Sequence, residues 1–465
     1  MTEPLLIGDV FRSAARAVPQ RPAAALGERV LTFGELDARS NRVARALGRR
    51  GIGVGDRVAT WTATTLGSVP LFAALAKTGA VFAPLNGQWE AHEASEVLTR
   101  LRPALVVADA ERAQRGRSLA EGPGFELVAL EALEAEAAHE SSEDVTVALE
   151  EVDTHVVFYT SGSSGTPKGA VLSHRANVLR SLSGILLEPR GAMVCPYPLF
   201  HMGAWTIALQ QWQARDAVVF VEPATAPEIG AAVERWRATR LNCVPAVWQR
   251  LLAARAAPGG PDLSSLRFAD TGTSATSPEL LRAIAAALPG AQVRVFYGST
   301  EAGSVSVLEH ADIERKPGSC GVPGPLARAR VGEDGRLWVR GPLLFDGYLD
   351  DPEATGAAVV DGWYDTGDLA EVDDEGYLTI VGRVGDLIRT GGEAVAPAEV
   401  EEVLRAHPQV DDVAVVGVPD SAWGQVVCAV VVVAPGGRAP ALEDLRAACV
   451  GVLAPYKHPR RLALV

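Results

Sequence analysis

Short β-branched runs alternate with alanine-rich amphipathic segments along most of the chain, and this alternation leaves few folds open. RVLTFGELDARSNRVARALGRRG reads as a strand and then a helix from Phe33, closed at Gly51. DRVATWTATTLGSVPLFAALAKTGAVFAPLN repeats the plan as strand, helix, strand, and residues 224–244 and 277–297 continue it. Such interleaving predicts a layered α/β architecture with substantial parallel sheet. Residues 119–149, rich in Glu and Ala, read as surface helix and connector. Beyond EGYLTIVGR, which ends at Arg383, the texture changes. A buried strand, VVCAVVVVA at 426–434, and a helix at 442–453 predict a small α+β unit. The expected domains are therefore 1–382, large and built of layered α/β subdomains, and 383–465, small and α+β.

Composition limits the partners. A chain of 465 residues, 48% hydrophobic and 22% charged, has ample material for a large core. Its formal net charge of −14 provides no electrostatic footprint for nucleic acid or an anionic membrane. An anionic substrate therefore needs a locally positive site. The longest apolar run is too short to span a bilayer, and MTEPLLIGDVF has no basic or cleavable leader pattern. Five scattered cysteines without CxxC spacing argue against a disulfide framework or a zinc site. The expectation is a soluble cytoplasmic protein.

The most chemically suggestive stretch is YTSGSSGTPKGA, residues 159–170. Strand-like VVFYT precedes it and GAVLSH follows, so the glycine-rich loop joins two strands. It fails the GxxxxGK[ST] pattern, because Lys168 is followed by Gly169. What remains is a loop whose backbone N–H groups and hydroxyls can wrap phosphate oxygens, with Lys168 as a point charge. A Gly/Ser run alone is weak evidence against a surface turn, but TPKG in a strand–loop–strand setting favours the phosphate role.

YTSGSSGTPKGAVLSH closely resembles the phosphate loop of the adenylate-forming superfamily, which includes acyl-CoA synthetases and peptide-synthetase adenylation domains. YGSTEAG at 297–303, GWYDTGDLA at 362–370 and GRVGDLIRTGGEAVAPAEVE at 382–401 resemble further motifs of that family, in its order. The resemblance covers nearly the whole chain and implies a large N-terminal domain with a small mobile C-terminal one. It implies activation of a carboxylic acid with ATP and Mg²⁺, through an acyl-adenylate, followed by transfer to coenzyme A. Thr160, Ser161, Gly162, Ser163, Ser164, Gly165, Thr166 and Lys168 are implied to cradle the β- and γ-phosphates. Thr300 would bond the α-phosphate, and Glu301 would hold the metal. Tyr297, beside Gly298, would stack on adenine, while Asp368 and Arg383 would contact the ribose. Gly391 and Gly392 would border the pantetheine tunnel.

PLFHMGAW places Phe200-His201 where amino-acid-activating relatives carry an aspartate, so an acid without a free α-amine is implied. The implied pocket walls are His201, Trp205, Val244, Pro245, Gly272, Thr273 and Ser274. Two positions depart from the family pattern. Gly385 occupies the hinge position, where an Asp or Lys is usual, and it leaves backbone freedom without a side-chain anchor. The family's adenylation lysine lies beyond a YKxPR sequence, whereas here YKHPR at 456–460 is followed only by RLALV. Lys457 belongs to the earlier motif and reads as a surface residue. Either the sequence is truncated within a strand, or the chain performs only thioesterification of a supplied acyl-AMP. A carrier protein as acceptor, or adenylate binding without turnover, also stays open.

Overall fold

The computed structural model describes residues 3–116, 125–160, 167–390, 393–420 and 423–465. It divides into two compact units: residues 1–328 with 340–364, and residues 329–339 with 365–465. The sequence boundary at 382–386 thus falls inside the second unit. The architecture is α/β throughout, as the alternation of elements predicts.

Among the described residues, two sheets build the first unit. One orders its strands Val322–Pro323, Gly303–Leu308, Gln292–Ser299, Phe268–Gly272, Arg240–Cys243, Met193–Cys195, Val218–Phe220, Pro22–Leu26 and Arg29–Thr32. Its central pairs, from Pro22–Leu26 to Gln292–Ser299, are parallel. The other runs Gly347–Tyr348, Lys168–Ser173, Thr154–Thr160, Val81–Pro84, Arg57–Trp61, Leu105–Ala108, Glu126–Ala129. It is parallel from Thr154–Thr160 to its far edge. The reading of 119–149 as surface helix and connector finds its helix in Leu130–Ala137 but missed the edge strand and the burial of that helix. Leu127 and Val128 pair with Val106 and Val107, and Leu130 and Leu133 of the following helix Leu130–Ala137 are buried. Four residues are too few to show an alternation in the sequence. Positions 119–124 of that segment lie outside the described residues.

Local chemistry explains the element ends. The helix Phe33–Arg49 starts at a reciprocal cap: Thr32 Oγ1 accepts from the Glu35 amide, and Glu35 accepts from that of Thr32. Gly51, at φ +78°, follows its end. The helix Ser68–Thr78 is buried on every side. Its Lys77 is accommodated there because the ammonium donates to Asp37 (2.6 Å) and Asn41 (2.7 Å).

In the second unit, Trp363–Val372 and Leu378–Arg383 form an antiparallel pair from residue 368 onward. A second sheet there orders Glu393–Val395, Ile388–Thr390, Gly424–Val433 and Val410–Asp420. Arg461–Leu464 pairs parallel with Gly424–Val433, so RLAL is a strand. Helices Pro397–Arg405 and Leu442–Cys449 cover a core of Val400, Leu404, Val413, Val431 and Leu445. The last helix stops at Cys449, short of the expected 453, because Val450 turns to extended backbone. None of the five cysteines forms a disulfide and all are buried, and no described helix is long and apolar enough to cross a membrane.

Trp205 occupies the core of the first unit. Only 2% exposed, it stacks on Phe72 at 4.1 Å and meets Phe82 edge-on at 5.1 Å. Its indole N–H donates to the Leu199 carbonyl at 2.6 Å. An aromatic four residues into a helix that begins at Met202 turns inward, so Trp205 lies behind the expected pocket wall. Trp205→Ala is expected to destabilise the first unit by about 3–5 kcal/mol, read as a lower denaturant midpoint. An unchanged midpoint with an altered acid preference would return Trp205 to the pocket surface.

Candidate active site

Ligands of open parallel sheets bind beyond the carboxyl ends of the strands. Several of the residues singled out from the sequence lie there. Thr160 ends Thr154–Thr160, Val244-Pro245 follow Arg240–Cys243, Thr273-Ser274 follow Phe268–Gly272, and Thr300-Glu301 follow Gln292–Ser299. The loop does connect two strands, since Thr154–Thr160 returns antiparallel as Lys168–Ser173 with Thr160 opposite Lys168. Ser161, Gly162, Ser163, Ser164, Gly165 and Thr166 lie outside the described residues, as do Gly391 and Gly392.

Glu301 is the convergence point. Its Oε1 accepts hydrogen bonds from Thr160 Oγ1 (3.1 Å) and the Tyr348 hydroxyl (3.2 Å). The Lys168 ammonium lies 5.2 Å from the centre of the same Tyr348 ring, within cation–π range. Tyr348 reaches this place because Gly347–Tyr348 adds to the sheet beside Lys168–Ser173, with Tyr348 opposite Ala170. The end of the strand Thr154–Thr160, the Thr-Glu turn and Tyr348 therefore share one carboxylate. No described donor reaches Glu301 Oε2. One carboxylate beside a hydroxyl suits a hard divalent cation that takes its remaining ligands from phosphate and water. Among the described residues there is no cluster of three or more His, Cys, Asp or Glu side chains that could cage a metal on its own.

The turn is held from below by Arg180, which is 5% exposed. Its Nη1 donates to the Thr300 carbonyl at 2.9 Å and its Nη2 to the Glu301 carbonyl at 3.1 Å. Nε donates to the Leu343 carbonyl at 2.8 Å. Burial pushes the guanidinium down to about 10, against the fields of Glu301 and Asp346, so it stays cationic at neutral pH. The adjoining strand is equally constrained. A Cβ on Gly298 would sit 2.1 Å from the Gly303 carbonyl oxygen, so only glycine fits between Tyr297 and the returning strand.

The residues expected to wall the acid site lie at strand ends and at the start of a helix. Gly272 pairs with Phe296, and a Cβ there would lie 2.4 Å from the Phe296 carbonyl. Thr273 is exposed at φ +67°, a strained conformation for a β-branched residue of the kind that collects at functional sites. His201 is exposed just before the helix Met202–Gln213, its ring 4.3 Å from Phe200. Beneath this edge Arg294 grips Asp270 with two bonds of 2.8 and 2.9 Å, clamping neighbouring strands.

In the second unit, Asp368 lies opposite Arg383 in the antiparallel pair and forms an ion pair with it at 3.3 Å. The turn before it is fixed by Asp365, which accepts from the Gly367 amide at 2.9 Å and from Arg336 at 2.6 Å. Gly367 takes φ +73°. Gly385 sits in the short turn Val384–Asp386. Lys457 donates to Glu399 of the neighbouring helix and is only partly exposed. Sequence reasoning missed Arg180 and Tyr348. The Gly-Tyr of FDGYLDDPEAT was the available signal for the latter, and a lone arginine inside a helix gave none.

The AMP-binding enzyme family profile matches residues 11–349, and that of the AMP-binding enzyme C-terminal domain matches 399–465. The chain is 36% identical over 464 residues to a feruloyl-CoA synthase of Amycolatopsis sp, covering 96% of this chain and 92% of that one. It is 33% identical over 479 residues to the fatty acid–[acyl-carrier-protein] ligase ScoC of Streptomyces coeruleorubidus, covering 97% and 91%. Its fold is similar to O-succinylbenzoate coenzyme A synthetase of Bacillus subtilis solved with ATP and a magnesium ion. That similarity has a TM-score of 0.86 at 25% identity, covering 98% of this chain and 95% of the other. With Thr160 bonded to the Thr-Glu turn at Glu301, the chain belongs to the AMP-binding enzymes, in the acyl-CoA synthetase branch of the adenylate-forming superfamily, as an ATP-dependent acid–thiol ligase.

Proposed function

We propose that the chain joins a carboxylic acid without a free α-amine to coenzyme A through an acyl-adenylate. In the first half-reaction a carboxylate oxygen attacks the α-phosphorus of ATP and pyrophosphate leaves. In the second, the CoA thiolate attacks the acyl carbonyl carbon and AMP leaves. The observation that carries this reading is the Thr160–Glu301 hydrogen bond, which ties the end of the loop to a turn 141 residues away.

The first step brings two anions together, so the chain's work there is positioning and charge neutralisation. Lys168, Thr160 and loop residues 161–166 hold the β- and γ-phosphates, and the Thr300 hydroxyl bonds the α-phosphate. Glu301 would hold Mg²⁺ through its carboxylate. When bound, the ion draws charge from the phosphate oxygens and so favours departure of pyrophosphate. Tyr297 and Gly298 take the adenine, and Asp368 with Arg383 takes the ribose. His201, Val244, Pro245, Gly272, Thr273 and Ser274 line the acid site, with Trp205 behind them. Gly391 and Gly392 border the path of the thiol. The small domain, 383–465, turns about Gly385 between the two half-reactions, with 1–382 as the stationary part.

A second reading replaces free CoA with the pantetheine arm of a carrier protein, and the likeness to a carrier-protein ligase favours it. A split assay on this chain separates the readings. Pyrophosphate release is followed with ATP, Mg²⁺ and a panel of aryl and fatty acids. Thioester formation from synthetic acyl-adenylates is followed with CoA or with holo-carrier protein. Turnover in both halves with CoA is the expected result. Thioester formation alone would confine the chain to the second half, preference for the carrier would replace CoA, and silence in both with AMP bound would leave an adenylate-binding protein.

Glu301→Gln keeps the hydrogen-bond geometry but removes the charge. It is expected to lower acid-dependent pyrophosphate release by roughly 10²-fold, with the unfolding midpoint unchanged. Release at the wild-type rate would remove Glu301 from the reaction.

A further inference from the structure

The geometry points to Arg180 as a positioning residue for the nucleotide–metal site: its guanidinium sets the two peptide planes that aim Glu301. This inference rests on the adenylating reading above and adds a residue to it. Arg180 lies near the end of the helix His174–Ser181, far in sequence from both the Thr-Glu turn and the loop 341–345. Its fork bonds three main-chain carbonyls, those of Thr300, Glu301 and Leu343, and Nη1 also reaches the Met202 thioether.

The consequence follows from peptide planarity. In a trans peptide the N–H of one residue points opposite to the C=O of the residue before it. Turning the Thr300 carbonyl toward Arg180 therefore turns the Glu301 N–H away from it. Turning the Glu301 carbonyl the same way sends the Ala302 N–H outward, where Ser299 Oγ accepts it at 3.0 Å. The Glu301 carbonyl also accepts from the Phe345 amide at 2.7 Å, which fixes the plane a second time. With both planes set, the Glu301 side chain leaves the backbone on the side of Thr160 and Tyr348, and Oε1 is anchored there.

The arrangement is costly. A buried cation bonded by carbonyls and a thioether gives up its hydration without a described carboxylate in contact, and burial accordingly lowers its proton affinity. A neutral side chain could fill the same space, but it could not offer a planar fork to three acceptors at once. Lysine could not either, because its donors radiate from one atom. Met202 adds a second link, since it opens the helix that directly follows His201. Arg180 thus ties the Thr-Glu turn to the start of the helix beside the acid site.

The test uses the whole chain with Arg180→Lys and Arg180→Gln. Equilibrium binding of ATP is measured by calorimetry with saturating Mg²⁺ and again with EDTA, alongside unfolding midpoints. In the wild type, Mg²⁺ is expected to tighten ATP binding. Both variants are expected to lose at least tenfold of that gain while their ATP affinity in EDTA stays within twofold of wild type. Arg180→Lys, despite its charge, is expected not to restore the gain. Several results would overturn the assignment: an unchanged Mg²⁺-dependent gain in both variants, an equal fall in both conditions, full rescue by lysine, or failure of both variants to fold. A wild type whose ATP binding ignores Mg²⁺ would instead sink the underlying reading, and that result is seen before any variant is made.

Discussion

One hydrogen bond, from Thr160 to Glu301, connects the two halves of the first unit's chemistry. Thr160 ends a strand of one sheet and Glu301 follows a strand of the other, so the bond can form only if both carboxyl edges face a common space. Parallel pairing makes that possible, because it collects the strand ends, with their loops, on one edge. Gly298 and Gly272 then matter for a steric reason. Each lets a neighbouring backbone approach closer than any Cβ would allow, which brings the Tyr297 strand and the Thr273 turn together.

The chain as a whole is acidic, with a formal charge of −14, yet the inferred substrates are polyanions. The structure answers this locally. Lys168 lies over the Tyr348 ring, and the buried Arg180 cation sits under the Thr-Glu turn. In a low-dielectric interior a single fixed charge acts over a longer distance than it would in water. Two cations around one carboxylate can therefore outweigh a remote negative surface, whose field is screened by salt.

The sequence carried the alternating elements, the strand–loop–strand setting of the phosphate loop and the residues at the strand ends, because each leaves a local pattern. Contacts made across long sequence separations left none. Arg180 bonds carbonyls more than 100 residues away, and nothing in HRANVLRS distinguishes it from a solvated arginine. Tyr348 is visible only as a Gly-Tyr pair until the two-residue strand is placed against Lys168–Ser173. Trp205 reads in sequence only as a motif-adjacent aromatic, and its packing on Phe72 and Phe82 crosses more than 100 residues. The edge strand Glu126–Ala129 was too short for its burial pattern to declare itself.

Lys457 shows how pairing narrows the set of cations open to chemistry. Its ammonium donates to Glu399 within the second unit, and Glu399 also accepts from the Ala396 amide at 3.1 Å at the head of the helix Pro397–Arg405. Withdrawing Lys457 from that contact would leave a partly buried carboxylate without its counter-ion. Its role is then to pin the segment after Pro455 to that helix, so that Arg461–Leu464 can pair with Gly424–Val433. Arg383 differs, because its partner Asp368 holds it by Nε at 3.3 Å while most of its side chain stays exposed. An exposed pair of that kind contributes little to stability, about 0–1 kcal/mol. That pair holds Arg383 loosely, whereas the Glu399 carboxylate holds Lys457 within the second unit's fold.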